Sequence, residues 1–331
     1  MISAIALSPS LDVTYVVDEL EGIQRPHSVH RVPGGKALNA ARAAAALGAR
    51  VSAVAVLGAG VGQDVAAGAR ADGVDVHVVP GAEPTRSCVS VFSRATGQLT
   101  EIYERAVQLS AGTAAAAVDT AVGLAAARPG WWFVSGGLPD SAPAGLLADV
   151  VHRLHDAGVR VAVDSHGPAL RGAVGARPDL VKVNRVEALE LVGSAGAGTV
   201  GGGGADDAAA PSVPELLAAV HTLTRGLVVV TDGAAGAWAT DGERVLRARL
   251  TGHTGGFPVG SGDSFLGGLL VALDDGADLA EALALATATG TANAQVPGAA
   301  ILDPELARRL AGDTEVTPFT VAATIAHRPG A

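Results

Sequence analysis

Val259-Gly260-Ser261-Gly262-Asp263-Ser264-Phe265-Leu266-Gly267-Gly268-Leu269 joins a tight glycine turn to an apolar helix and carries one carboxylate at the joint. Glycines on both sides of Ser261 let the backbone turn sharply, and the first N–H groups of the helix have no partner within it. The helix dipole adds positive potential at the same place, so the turn suits an anion. Asp263 stands inside this field, either as a helix N-terminal charge or as a functional carboxylate. The Lys-Ser/Thr ending of a Walker A loop is missing, so the turn is not of that type.

A second stretch has a similar design. Pro33-Gly34-Gly35-Lys36-Ala37-Leu38-Asn39 runs into an alanine-rich segment, a strong helix former, and Gly48 is a natural C-terminal stop. Lys36 in the first turn opposes the helix dipole, a local cost that a shared anion would offset. Composition sharpens the point: of 23 Lys and Arg residues only Lys36 and Lys182 are lysine. Lysine kept at two positions in an arginine-rich chain marks places where a compact ammonium on a flexible stem matters.

Around these turns the chain alternates strands and helices. Trp131 to Val134, Val159 to Val163, Leu180 to Val183 and Leu227 to Thr231 read as buried strands, with helices over about Ala142 to Asp156 and Leu279 to Ala292. That alternation predicts an α/β fold, a doubly wound, mostly parallel sheet flanked by helices. Right-handed crossovers then line the loops after the strands along one edge. Ile2 to Leu7, Val51 to Leu57 and Val74 to Val79 extend the pattern, and Asp12 emerges beyond the first strand, where such sheets bind ligands. Ser87 to Ser93 and Leu99 to Tyr103 form a hairpin across Ala95-Thr96-Gly97, with Arg86 just before it. Gly58 to Gly62 misses the dinucleotide fingerprint by one position.

Composition excludes several classes. A 331-residue chain with 49% hydrophobic and 17% charged residues is globular, and its net charge of −10 argues against a nucleic-acid partner. There is no apolar run of membrane-spanning length and no secretory leader pattern, so a cytoplasmic location is expected. Cys88 is the single cysteine and reads as a small buried hydrophobe. Gly193 to Pro211 reads as a flexible surface excursion.

Taken in order, Asp12, the Gly34-Gly35-Lys36 to Asn39 turn, Arg86, Lys182-Val183-Asn184-Arg185-Val186-Glu187, Gly233 to Gly236 and Gly260-Ser261-Gly262-Asp263 resemble the ribokinase-like PfkB carbohydrate kinases. The likeness spans roughly Ser3 to Gly298. Ser8-Pro9-Ser10-Leu11-Asp12, Thr85-Arg86, Thr100-Glu101-Ile102 and Ser135-Gly136-Gly137-Leu138-Pro139 look like its hexose-phosphate branch. The resemblance implies transfer of the γ-phosphoryl group of ATP, with Mg²⁺, to a hydroxyl of a hexose phosphate of the fructose 1-phosphate, fructose 6-phosphate or tagatose 6-phosphate type. It implies Asp263 as general base and Gly260, Ser261 and Gly262 as the anion hole. Asn184 and Glu187 would place Mg²⁺, partly through water. Lys182, Asn184, Thr231, Gly233, Gly236, Gly290 and Thr291 would hold ATP. Asp12, Gly34, Gly35 and Asn39 would hold sugar hydroxyls, and Lys36 and Arg86 the phosphate already on the substrate. It further implies one kinase domain over residues 1–320 with a tail after it. Lid segments would span about 13–32 and 87–103, with a homodimer through that lid.

The chain also departs from the family pattern at Ala37, Gly137, Ser261, Phe257-Pro258 and Tyr103 to Ala106. A kinase of an unphosphorylated sugar or nucleoside, and a non-catalytic sugar or nucleotide binder on the same fold, are the alternatives these residues leave open.

Overall fold

The computed structural model describes residues 1–196, 210–253 and 255–319. The chain opens with β1 (Ile2–Ala6), β2 (Ser10–Val17), β3 (Ser28–Gly34), α1 (Lys36–Ala46), β4 (Val51–Leu57), α2 (Gly62–Ala71) and β5 (Val74–Pro80). It continues with β6 (Arg86–Ser93), β7 (Leu99–Tyr103), α3 (Ala111–Ala125), β8 (Trp131–Ser135), α4 (Leu146–Asp156), β9 (Arg160–Asp164) and α5 (Gly167–Gly175). Then come β10 (Leu180–Asn184), α6 (Arg185–Gly196), α7 (Val213–Thr224), β11 (Leu227–Thr231), β12 (Ala237–Thr240) and β13 (Val245–Arg249). The last elements are α8 (Ser261–Asp274), α9 (Leu279–Asn293), α10 (Pro304–Asp313) and β14 (Glu315–Phe319).

Among the described residues the strands form a ten-stranded sheet, ordered β14-β13-β12-β11-β10-β9-β8-β1-β4-β5, and a four-stranded one, ordered β3-β2-β6-β7. From β11 to β5 the large sheet is parallel; β12, β13 and β14 extend it antiparallel. Side chains alternate across the pleat. Trp131 and Phe133 therefore join one core with α1, α8, α9 and α10, and Trp132 and Val134 the other with α3, α4, α5 and α7. Burial on both faces is why these strands read as continuous apolar runs.

One packing seam fixes the site. A Cβ on Gly267 would come within 2.6 Å of the Ala40 carbonyl oxygen, and one on Gly268 within 2.5 Å of Thr289 Oγ1. Helices α1, α8 and α9 therefore approach almost backbone to backbone, which alanine and glycine permit and larger residues would prevent.

The expected strands are present, and the helix expected from Ala142 instead begins at Leu146. Gly145 holds φ 75° in the left-handed region, so the chain before it turns rather than coils. Helix α6 continues through Gly196 into the stretch read as an excursion; residues 197–209 lie outside the described residues, as does the tail from 320. No helix among the described residues is long and apolar enough to cross a membrane.

Candidate active site

The C-terminal ends of the parallel strands deliver side chains to one cavity of about 450 Å³. Ser8 and Asp12 come from beyond β1, Ser135 and Gly136 from the end of β8, Lys182 and Asn184 from β10, and Thr231 from β11. Gly35, Lys36 and Asn39 enter from the start of α1, and Gly260, Gly262 and Asp263 from the start of α8. Arg86, Cys88, Glu101 and Tyr103 close it from the small sheet.

Asp263 lies in the first turn of α8 behind Gly260, which caps the helix at φ 80°. Asn39 Nδ2 donates to Asp263 Oδ2 across 3.0 Å. Burial pushes the Asp263 carboxyl up to about 6, and the Asp164 charge adds to the rise. Lys36, the Asn39 amide and Lys182 pull in the other direction and are outweighed. Such a carboxylate is ionised at neutral pH yet basic enough to take a proton from a hydroxyl.

A lysine pair surrounds it. Lys182 Nζ donates to Asp164 Oδ2 at 2.8 Å, while Lys36 Nζ lies 3.8 Å from Asp164 Oδ1 and 3.6 Å from Glu187 Oε1. Burial alone would raise the fully enclosed Asp164, but Lys182 and Lys36 overcome it and hold the carboxyl below the usual range. Asp164 first drives Lys36 well above the ordinary lysine value, against burial, and Glu187 and Asp263 add to it. Lys36 therefore faces the carboxylates near the turn. Asp164 carries no motif of its own in the sequence. Its signal is indirect: Lys182 sits within a buried strand, where an unpaired ammonium is costly, and the neighbouring strand β9 ends in a carboxylate.

Asp12 is pushed up by burial, against a 2.6 Å hydrogen bond from Ser10 Oγ and the nearby Arg86. Gly34 packs on it so closely that a Cβ would meet Asp12 Cγ at 2.0 Å. Arg86 donates to the backbone oxygens of Glu104 at 3.1 Å and Ser8 at 3.3 Å, and its buried Nε has no partner. Ser135 Oγ, Asn39 Oδ1 and Asp164 Oδ1 are likewise buried without a hydrogen-bond partner. All three belong to this cluster, which marks it as a polar surface shaped for something else to complete.

Asn184 and Glu187 cap α6 reciprocally: Glu187 N donates to Asn184 Oδ1 at 2.9 Å and Asn184 N to Glu187 Oε2 at 2.8 Å. Glu187 Oε1 is left facing Lys36. A second, less polar cavity of about 380 Å³ is lined by Thr231, Gly233, Gly236, Ser261, Gly290 and Thr291 among others. Thr231 and Gly262 line both cavities, so the glycine turn stands at their junction. Lys182 and Asn184, grouped with these residues in the sequence, open onto the first cavity instead.

Residues 2–306 match the model of the pfkB family carbohydrate kinases. The 1-phosphofructokinase of Xanthomonas campestris pv. campestris is 32% identical over 312 residues, covering 91% of this chain and 93% of that protein. The 1-phosphofructokinase of Rhodobacter capsulatus is 31% identical over 291 residues, covering 87% and 88%. Phosphofructokinase-2 from Escherichia coli, solved in complex with substrates and products, superposes with a TM-score of 0.82 at 24% identity, covering 94% of this chain and 98% of that one. A match over nearly the whole chain, with the carboxylate, the glycine turn and the paired cavities in place, means that the chain belongs to the pfkB family of carbohydrate kinases, phosphotransferases that act on a sugar hydroxyl.

Proposed function

We propose that the protein transfers the γ-phosphoryl group of ATP to a hydroxyl of a hexose phosphate, fructose 1-phosphate being the first acceptor to test. The observation that carries this reading is the junction at Gly262: two cavities of different polarity meet there, and Asp263 opens onto the more polar one. ATP fills the less polar cavity with its phosphates toward the turn, and the sugar fills the other. Asp263 takes the proton from the attacking hydroxyl, while the N–H groups of Gly260, Gly262 and Asp263 receive the transferred anion; the Ser261 N–H, expected from the sequence in the same hole, instead donates to the Pro258 carbonyl oxygen at 3.1 Å. Phosphoryl transfer needs little more than such positioning and charge stabilisation.

The acceptor phosphate belongs with Arg86. Lys182 and Lys36 each pair with a carboxylate, whereas Arg86, with Asp12 nearby, hydrogen-bonds only to carbonyl oxygens and keeps a buried N–H without a hydrogen-bond partner. A guanidinium so placed answers a phosphate. Among the described residues no three His, Cys, Asp or Glu side chains are grouped to hold a metal ion by themselves. Glu187, with Asn184 beside it at the start of α6, and Asp164, whose Oδ1 has Lys36 at 3.8 Å but no hydrogen bond, offer hard oxygen donors that would suit Mg²⁺ and its waters shared with ATP phosphates. The ion's contribution is neutralisation of phosphate charge. We also assign the small sheet the role of a lid over the sugar, and its β7 edge, with Ile102 exposed, the contact of a homodimer.

A panel of sugars and sugar phosphates, followed by ADP release, tests the assignment. Arg86→Ala should raise KM for the sugar phosphate by about 10–100-fold and leave KM for ATP unchanged, as loss of a charge-assisted contact requires. Equal activity on free fructose and on its phosphates, in wild type and variant alike, would overturn it.

A further inference from the structure

The glycine turn does not hold its own shape. Gly260 is left-handed, and a Cβ there would meet Ala300 N at 2.9 Å and Ala299 Cα at 3.0 Å, so the turn rests on the segment after α9. Between them lies Asn293, the last residue of α9, fully buried. Its Nδ2 donates to the Val259 carbonyl oxygen at 2.8 Å and to Ser261 Oγ at 3.1 Å. Its Oδ1 accepts from Ala300 N at 2.7 Å and from Ser264 Oγ at 3.2 Å. Both amide protons and both acceptor sites of one side chain are thus in use. They join the approach to the turn, the first turn of α8, and the loop behind it.

The direction of these bonds matters more than their number. In a trans peptide the carbonyl and the following N–H point opposite ways. Fixing the Val259 carbonyl toward α9 therefore aims the Gly260 N–H away from α9, and both Val259 and Gly260 line the polar cavity. Without that anchor the peptide between Val259 and Gly260 is free to rotate, since glycine accepts either sign of φ. The anchor is itself braced: Ala300 sits at φ 53°, and Arg42 Nη1 donates to Ala299 O at 2.9 Å and to Pro33 O at 3.0 Å. Arg42 thereby ties the support of this turn to the end of β3, where Gly34 packs on Asp12.

We propose that Asn293 is a positioning residue for phosphoryl transfer, fixing the Val259–Gly260 peptide so that the glycine turn presents its N–H groups to the transferred anion. The proposal rests on the transfer reading of this turn. Asn293 lines neither cavity and acts through the segments it holds. A preorganised donor contributes where charge develops, so its misalignment lowers turnover rather than ground-state binding.

Asn293→Ala is expected to lower kcat about 100-fold, the scale of one lost anion-hole donor, with KM for both substrates within about threefold. Asn293→Ser, whose hydroxyl cannot reach both Val259 O and Ala300 N, should change in the same direction if the alanine variant does not fold. The second readout is the affinity for ADP with aluminium fluoride, a mimic of the phosphoryl in transfer, relative to ADP alone. That ratio should fall with kcat in a variant whose thermal unfolding remains cooperative. Unchanged kcat and an unchanged ratio in a folded variant would overturn the role, as would a loss confined to KM. Asp263→Ala, assayed in parallel, separates the two readings: if it too keeps full activity, the transfer site itself is misassigned.

Discussion

Asn39 on α1 donates to Asp263 on α8 across 3.0 Å, so this carboxylate, the base we propose, is held by the helix that also presents Lys36. Because burial lifts Asp263 to about 6, kcat should fall as pH drops through that value. A pH profile of kcat at saturating substrates checks this, and a flat profile from pH 5 to 8 would refute it. The stability sign is opposite. A carboxyl whose folded value is raised stabilises the fold below about pH 4, and that contribution is lost as pH rises through about 6. Asp263→Asn should therefore be inactive yet more stable than wild type at pH 8, by roughly 1–3 kcal/mol, in denaturant unfolding.

Asp164→Asn removes the counter-charge of two lysines. Lys182 is 4% exposed and would be left without its carboxylate, which costs about 3–5 kcal/mol in comparable buried pairs. The same change removes a like charge from beside Asp263, so the midpoint of the kcat profile should move down. A midpoint that stays in place would show that Asp164 does not act on the base.

Gly34→Ala places a Cβ 2.0 Å from Asp12 Cγ, and Asp12 must move. KM for the sugar should rise about tenfold with KM for ATP unchanged, the effect of one displaced hydrogen-bonding group. Steady-state kinetics with each substrate varied in turn decides this.

Phe257, which departs from the family pattern, packs its ring 4.7 Å from that of Phe92 on β6. Its neighbour Pro258 lines the less polar cavity. The small sheet and the less polar cavity, where we place ATP, are thus joined by an aromatic contact worth about 0.5–1.5 kcal/mol. In Phe257→Ala the KM for ATP should lose any dependence on sugar-phosphate concentration, and in Phe92→Ala likewise. A dependence equal to wild type in both variants would dismiss the coupling.

The parallel strands were legible because burial on both faces writes them as apolar runs, and both glycine turns because turn and helix signals coincide. β12 was not: Ala237–Thr240 is four residues long and too short to show a period. Asp12, Lys36, Asn39, Arg86 and Asp263 converge on one cavity as their positions in the sequence suggested. Asp164 and Asn293 were missed because their meaning lies in partners supplied by folding. Asp164 meets Lys182 only across neighbouring strands, and Asn293 meets Val259 only where α9 ends against the turn.

The near contact of α1 and α8 at Gly267 and Ala40 has a consequence for how this enzyme can diversify. A seam without side-chain slack works as a gauge block: any side chain added at Gly267 would push α1 and α8 apart and change the spacing between Asn39 and Asp263. Changes in acceptor preference are therefore expected at the rim, where Glu101 and Tyr103 stand on the small sheet. A redesign library confined to those rim positions should yield altered substrate range with turnover intact, whereas one spread over α1 and α8 should yield mostly inactive protein.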